Sequence, residues 1–263
     1  MNALSDEVLR DLRRNLDEVG YFVIPGVVSK DRLAAFNTNI VEEYERATKF
    51  SGGGSISGHL NCFPGEDARF IYDEIEEHGI ADAIRAMRLG LSNDVRATLN
   101  LNLPGSAPQH YHMDGVYIEE YIICNVAVVD TDVVNGAIDL LPSTNREFYP
   151  FWRYALKRRY RLTTRIPMKQ GDVLLRKSTL WHRGMPNRSA SPRPMMSLTF
   201  GEKSAPTDDP FQTNDGKMIF YPNWYSAGRL GALRERIEVT VPITRSAFRF
   251  ARSLVGNRGY STY

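Results

Sequence analysis

The stretch DVLLRKSTLWHRGMPNRSASPRPMMSLTFG, residues 172–201, holds two short β-runs, 172–176 and 195–201. Between them lie a histidine, His182, and a turn at Met185-Pro186-Asn187-Arg188-Ser189. The same texture extends upstream through runs at 95–103, 116–129, 137–141 and 163–167, punctuated by Gly, Pro and Asn. Strands this short and this dense argue for a sandwich or a closed double-sheet roll, against a doubly wound parallel sheet.

The first 90 residues read differently. Ser5, followed by Asp6 and Glu7 and by apolar Val8, Leu9, Leu12 and Leu16, predicts an N-capped amphipathic helix ending near Gly20. A short strand over 21–24 closes at Pro25-Gly26, and Leu33, Phe36, Ile40 and Tyr44 recur at helical spacing from Lys30 to about Phe50. The glycine-rich segment 51–58 reads as a loop, and helical periodicity resumes over 67–87. An aromatic and basic insertion, 146–160, reads as a short helix. The expected architecture is mainly β with flanking helices. Residues 1–90 would be mostly helical support, 91–205 the core and 206–263 a C-terminal extension, together one domain over 1–263.

Composition excludes several classes. The chain has 263 residues, 42% hydrophobic and 24% charged, which is neither disordered nor collagenous. Its 33 basic and 31 acidic residues nearly cancel, removing the argument from global charge for nucleic acid or an anionic membrane. No apolar run approaches the roughly 20 residues of a membrane span, and the start, MNALSDEVLRDLRR, lacks the order of a signal peptide. Cys62 and Cys124 stand in unrelated contexts, so a disulfide or thiolate metal site is not expected, and a reducing cytoplasm is.

The chemistry begins at Gln109-His110-Tyr111-His112-Met113-Asp114. On an extended segment His112 and Asp114 share a face, so an imidazole and a carboxylate can converge on one ion. His182, just beyond a β-run, would supply a second imidazole. Two histidines and one carboxylate leave about three positions of an octahedral ion open, as in non-haem Fe(II) oxygenases. Arg193 begins the next β-run, and an arginine entering a β-core is costly unless it meets an anion, which its planar fork suits. The distal carboxylate of 2-oxoglutarate is the expected partner.

Taken in order, six segments make a more specific pattern: Gly20-Tyr21-Phe22-Val23-Ile24-Pro25-Gly26, His112-Met113-Asp114, Asn135 to Ser143, Gly171-Asp172-Val173-Leu174-Leu175, His182 and Arg193. This pattern resembles the phytanoyl-CoA dioxygenase family of Fe(II)/2-oxoglutarate oxygenases, over about residues 18–200. The resemblance implies a double-stranded β-helix, the cupin-like jelly roll. It implies iron held by His112, Asp114 and His182, with Arg193 binding the cosubstrate. Fe(II), 2-oxoglutarate and O₂ would then oxidise a small molecule, most simply by hydroxylation, releasing succinate and CO₂. Halogenating relatives lack the carboxylate ligand, whereas Asp114 is present.

Two departures stand out. Ser143-Thr144-Asn145 follows the proline where the family often has Gly-Ser-His, and Gly184 stands where many members carry a small hydroxyl residue that shares the 2-oxoglutarate carboxylate. Ser197, four past Arg193, is a candidate substitute, and Gln109 a further cosubstrate contact. Tyr117, Asn102 and His59 are candidate substrate contacts, while His110 is read as lying on the face opposite the pair. Arg245, Arg249 and Arg252 line one helical face, and Lys157, Arg158, Arg159 and Arg161 form a second cluster. Each reads either as a solvated face or as a site for an anionic substrate. Two other readings stay open: a non-catalytic jelly-roll binding protein, and a metal-dependent cupin-type isomerase or hydrolase, neither of which needs Arg193. Substrate choice is expected to lie in 51–63, 146–160 and 207–229.

Overall fold

The computed structural model describes residues 4–47, 57–87, 95–148, 150–203, 205, 208–222 and 228–256. Most of the glycine-rich loop, and parts of all three expected substrate segments, therefore lie outside the described residues.

Helix α1 (Asp6–Glu18) starts where expected: the Ser5 hydroxyl accepts from the Val8 amide, and acidic residues occupy its first turn. Its apolar stripe buries Leu12 and Leu16. Strand β1 (Tyr21–Ile24) and helix α2 (Lys30–Arg46) follow, the helix burying Leu33, Phe36 and Ile40. After β2 (His59–Phe63), the single helix expected over 67–87 is two, α3 (Arg69–Glu77) and α4 (Ile80–Met87). The break falls at Gly79, whose φ of +72° no continuing helix accepts.

The rest of the roll comprises β3 (Val95–Asn102), β4 (Ile122–Ala127), β5 (Ile138–Leu140), helix α5 (Phe151–Leu156), β6 (Thr164–Ile166), β7 (Val173–Lys177), β8 (His182–Arg183) and β9 (Arg193–Phe200). An edge strand, β10 (Ile219–Pro222), precedes a helical hairpin, α6 (Gly228–Thr240) and α7 (Pro242–Leu254). The run expected at 116–129 is shorter, because the chain bends and turns between Asp114 and Glu119, with Gly115 at φ +64°, and pairs only from Ile122 to Ala127.

Two sheets face each other. Seven strands form one, in the order β1-β7-β4-β9-β3-β2-β10, and three form the other, β6-β5-β8. Thus β1 and β2, from the region read as helical support, and β10, from the extension, are strands of the main sheet. The jelly-roll fold is as expected, but its sheet does not respect the boundaries drawn at 91 and 205.

Alternation along the strands divides the main sheet into two faces. Outward, Leu60, Cys62, Ala97, Leu99, Leu101, Cys124, Val126, Leu175, Met196 and Leu198 pack on α1 to α4 in one apolar cluster that spans Leu12 to Phe220. Inward, Asn61, Thr98, Asn100, Asn125, Arg176, Arg193 and Ser197 line a cavity of about 500 Å³. Both cysteines are free and buried in the outward core. The Gly171-Asp172 motif ties the end of β1 to this sheet. Gly171 O accepts from the Val27 and Val28 amides, and Asp172 Oδ1 from Gly26. At φ +90°, a Cβ on Gly171 would sit 2.3 Å from Val28 O, so only glycine fits.

Candidate metal centre and adjoining cavities

The three expected ligands meet because two strands put them side by side. His112 and His182 form an antiparallel bridge, each amide donating to the other's carbonyl at 3.0 and 2.8 Å. Directly opposed residues point to the same side, which sets the two imidazoles 4.4 Å apart between ring centroids. Asp114, two residues on, is anchored by its amide to Ser178 O at 2.9 Å. Its Oδ1 lies 3.8 Å from His112 Nε2 and its Oδ2 3.4 Å from His182 Nε2. One ligand atom from each residue falls within 4.8 Å of the others.

The tautomers suit a metal. His112 Nδ1 is 2.8 Å from His110 O and His182 Nδ1 is 3.0 Å from Leu180 O, so each Nδ1–H donates to a carbonyl and each Nε2 lone pair faces the centre. Burial pushes His112 down to about 4, against the raising influence of Asp114 and the His110 carbonyl, and pushes His182 well below its ordinary value. Both are therefore neutral at neutral pH, the form in which an imidazole can bind a metal. Burial alone would raise the Asp114 carboxyl, but His182, Arg176 and His112 outweigh it and hold the group ionised.

Arg193 enters the cavity from the first residue of β9, opposite Asn102. It is buried, with Nη2 donating to Gly136 O at 3.2 Å and Nε making no hydrogen bond. No carboxylate among the described residues pairs with it, and burial pushes its guanidinium down to about 10. A buried cation with an orphaned donor in the metal-side cavity fits the far carboxylate of a dicarboxylate chelate.

The other candidates separate. Gln109 lines the cavity: its amide donates to Gly184 O, and its Oε1 accepts from Gly184 N at 2.8 Å. A Cβ on Gly184 would stand 2.8 Å from that Oε1, so the glycine and the glutamine accommodate each other. Ser197 also lines the cavity, but its hydroxyl accepts from Asn125 Nδ2 at 2.7 Å. Asn125 Oδ1 in turn accepts from Arg176 Nε at 2.9 Å, and Arg176 Nη1 lies 2.8 Å from Asp114 Oδ2. Ser197 therefore ends a chain leading to the carboxylate ligand, about 13 Å of strand from Arg193. Sequence reasoning missed Arg176 in that chain; the signal was an arginine at an inward position of the apolar run Val173-Leu174-Leu175.

His59 and Asn102 are fully buried beside Arg193 and line neither the metal-side cavity nor the chamber described below. His59 Nε2 donates to Ala107 O, and Asn102 Nδ2 to Met185 O. Tyr117 is not brought to the centre. Its hydroxyl donates to Asn145 O and its ring meets Phe148. Asn145 and Thr144, the departure from Gly-Ser-His, are structural: Asn145 Nδ2 donates to the last carbonyls of α1, and Thr144 Oγ1 accepts from Trp181 N. His110 needs correction. Being two before His112, it shares that face, and its ring lies 4.9 Å from the His112 ring.

A second cavity, of about 740 Å³, lies on the far side of Gln109 and His110, which line both. Helices α5, α6 and α7 enclose it. Arg245 and Arg249, expected on a solvated face or at an anion, turn inward to its wall, whereas Arg252 and the cluster of Lys157, Arg158 and Arg161 are exposed.

The phytanoyl-CoA dioxygenase (PhyH) pattern matches residues 16–195. Among solved structures, the chain is similar to SnoN, an epimerase from nogalamycin biosynthesis in complex with Fe³⁺, α-ketoglutarate and nogalamycin RO, at 18% identity over 83% of this chain and 96% of that one, TM-score 0.57. It is similar to SnoK, a carbocyclase of the same biosynthesis, at 17% identity over 85% and 89%, TM-score 0.58. It is also similar to HygX from Streptomyces hygroscopicus, with nickel and 2-oxoglutarate bound, at 15% identity over 77% and 88%, TM-score 0.53. No helix among the described residues is long and apolar enough to cross a membrane.

Proposed function

Because this chain belongs to the phytanoyl-CoA dioxygenase family, we propose that it is an Fe(II)- and 2-oxoglutarate-dependent oxygenase that hydroxylates a small molecule. The observation that carries this reading is the pairing, in one cavity, of an intact His112, Asp114, His182 set with the buried, carboxylate-free Arg193. A jelly-roll binding protein needs neither, and a metal-dependent isomerase or hydrolase does not need the arginine.

Fe(II), chelated by 2-oxoglutarate and meeting O₂, would supply the hydrogen-abstracting oxidant, with succinate and CO₂ as coproducts. The chain's own contribution is geometry. His112 and His182 present Nε2 lone pairs fixed by their Nδ1 bonds, and Asp114 offers its carboxylate while Arg176 holds it from behind. Arg193 receives the far carboxylate, which fixes which end of the dicarboxylate faces the metal. Gln109, bonded to the Gly184 backbone, fills the space a side chain at 184 would take. The apolar core on the outward face of the main sheet closes the cavity's far side.

Anaerobic reconstitution with Fe(II) and 2-oxoglutarate tests the reading: a weak visible charge-transfer band and O₂-dependent succinate are expected. Absence of both in folded, metal-loaded protein overturns it. Once a substrate is found, ¹⁸O₂ tests hydroxylation itself, since product without label overturns that outcome.

A further inference from the structure

We propose that the substrate is an uncharged, hydroxyl-rich molecule, a polyol or sugar, and that Asn61, Thr98, Asn100 and Thr199 bind it. This rests on reading His112, Asp114 and His182 as the metal centre and Arg193 as the anchor of 2-oxoglutarate. All three ligands line the cavity of about 500 Å³, and none of them lines the one of about 740 Å³. A molecule that is to meet the ion therefore enters the first.

The cosubstrate needs only part of that cavity. Arg193 and Thr199 both line it and stand six residues apart on β9, roughly 20 Å of strand. Between them lies Ser197, to which Arg176 and Asn125 tie the Asp114 carboxylate. The dicarboxylate takes the Arg193 side of the ion. Past Ser197 the wall continues as Thr199, with Thr98 and Arg96 of β3 opposite Ser197 and Thr199 respectively. Arg193 is buried, whereas the Arg96 and Glu202 side chains are partly exposed, so this wall lies on the solvent side.

The wall is polar, unengaged and free of unmatched charge. Among the described residues, the side chains of Asn61, Thr98 and Thr199 make no hydrogen bond. Asn100, opposite Asn61, spends its Nδ2 on Leu60 O at 3.2 Å and leaves Oδ1 open. Threonine hydroxyls and asparagine carboxamides both donate and accept, as the hydroxyls of a polyol do. An apolar ligand would take water from these groups and return no partner, a penalty that a ligand bearing hydroxyls avoids. The charges pair off: Arg96 Nε lies 2.8 Å from Glu202 Oε2, and Arg176 Nη1 lies 2.8 Å from Asp114 Oδ2. Once Arg193 holds the cosubstrate, no lining charge is left for an ionic substrate to answer.

The test uses the full chain loaded with Zn(II) and 2-oxoglutarate, and saturation-transfer NMR with three panels of probes. The first holds neutral methyl glycosides and inositols, the second cyclohexanols with a single hydroxyl, the third uronic acids and amino sugars. The best member of the first panel is expected to bind about tenfold or more tightly than any member of the others. Its proton resonances should broaden when Co(II) replaces Zn(II). Thr98→Val and Thr199→Val each delete a hydroxyl at nearly constant shape. Each should weaken that probe about fivefold while moving 2-oxoglutarate less than about threefold. No binding from the first panel, equal or tighter binding from another, sharp lines with both metals, or an affinity unmoved in both variants overturns the proposal. The Co(II) absorption spectrum and the affinity for 2-oxoglutarate report separately on the centre. Their failure overturns the oxygenase reading, whereas failure of the panels alone overturns only the substrate class.

Discussion

Replacing Arg193 with methionine should make the protein more stable and its cosubstrate weaker, and both changes can be sized from the structure. Without a dicarboxylate, the guanidinium is buried, donates one 3.2 Å bond to Gly136 O and leaves Nε without an acceptor. Its fall from the ordinary 12.5 to about 10 corresponds to a cost of about 3 kcal/mol for keeping the charge there at neutral pH. Methionine removes that cost, loses one hydrogen bond of about 1 kcal/mol, and fills most of the space. The net gain of about 2 kcal/mol should raise the Tm of the metal-free protein by roughly 4 °C. With 2-oxoglutarate the sign reverses. Two charge-assisted bonds to the far carboxylate contribute about 3 kcal/mol, so Kd should rise roughly 150-fold. A control ligand, 2-oxopentanoate, keeps the chelating end but lacks that carboxylate, and its Kd should move less than threefold. Titrating the charge-transfer band under argon with both ligands, beside denaturant melts of both proteins, completes a double-mutant cycle. If the variant loosens the two ligands equally, or is less stable without ligand, Arg193 does not serve as the anchor.

Three other outcomes follow from the same physics. Asp114→Asn should abolish Co(II) binding, read by its visible absorption, and should also destabilise the metal-free protein by about 3 kcal/mol, because Arg176 would lose its buried counter-charge. His59→Gln should flatten acid destabilisation. Burial, with Arg193 and His112, pushes His59 down to about 4 against the raising bond to Ala107 O, so the unfolded chain takes up a proton below pH 6.5 that the folded one refuses. That stability is complete above about 6.5 and is lost as pH falls toward 4, about 2.5 kcal/mol between pH 7.5 and 4.5 in denaturant titrations; an unchanged slope in the variant would refute it. Gly171→Ala should lower Tm by several degrees or prevent folding, since its Cβ would meet Val28 O at 2.3 Å in a left-handed turn; a melt indistinguishable from the parent would count against that geometry.

What could be read in advance was whatever has a period or a spacing. The alternation in β3 and β9 shows which residues share a face, and the order from His112 through Asp114 and His182 to Arg193 marks the centre. Parity alone, however, does not say which face is inside. Asn100 and Asn102 turned out inward only because α1 to α4 cover the other side. The reading of His110 failed on parity itself. Arg176 was hidden in an apolar run, and its role depends on Asp114 arriving from 62 residues away, a juxtaposition no local signal carries. Tyr117 had the right distance from Asp114 in sequence, but the turn before Ile122 carries it to Phe148. The α7 stripe was plain as a pattern, while its direction is set by α5, through Arg249 on Phe151 and the Ser253 hydroxyl accepting from Trp152 N.

The helical hairpin has a consequence for how such proteins diversify. It follows the last strand of the roll and adds none of the groups that meet at His112, Asp114 and His182. Exchange or remodelling of those two helices would reshape the 740 Å³ cavity while leaving the His112, Asp114 and His182 cluster intact. The hairpin bounds one cavity and none of the other, so its helices can be varied from residue 228 onward with no need to rebuild the sheets.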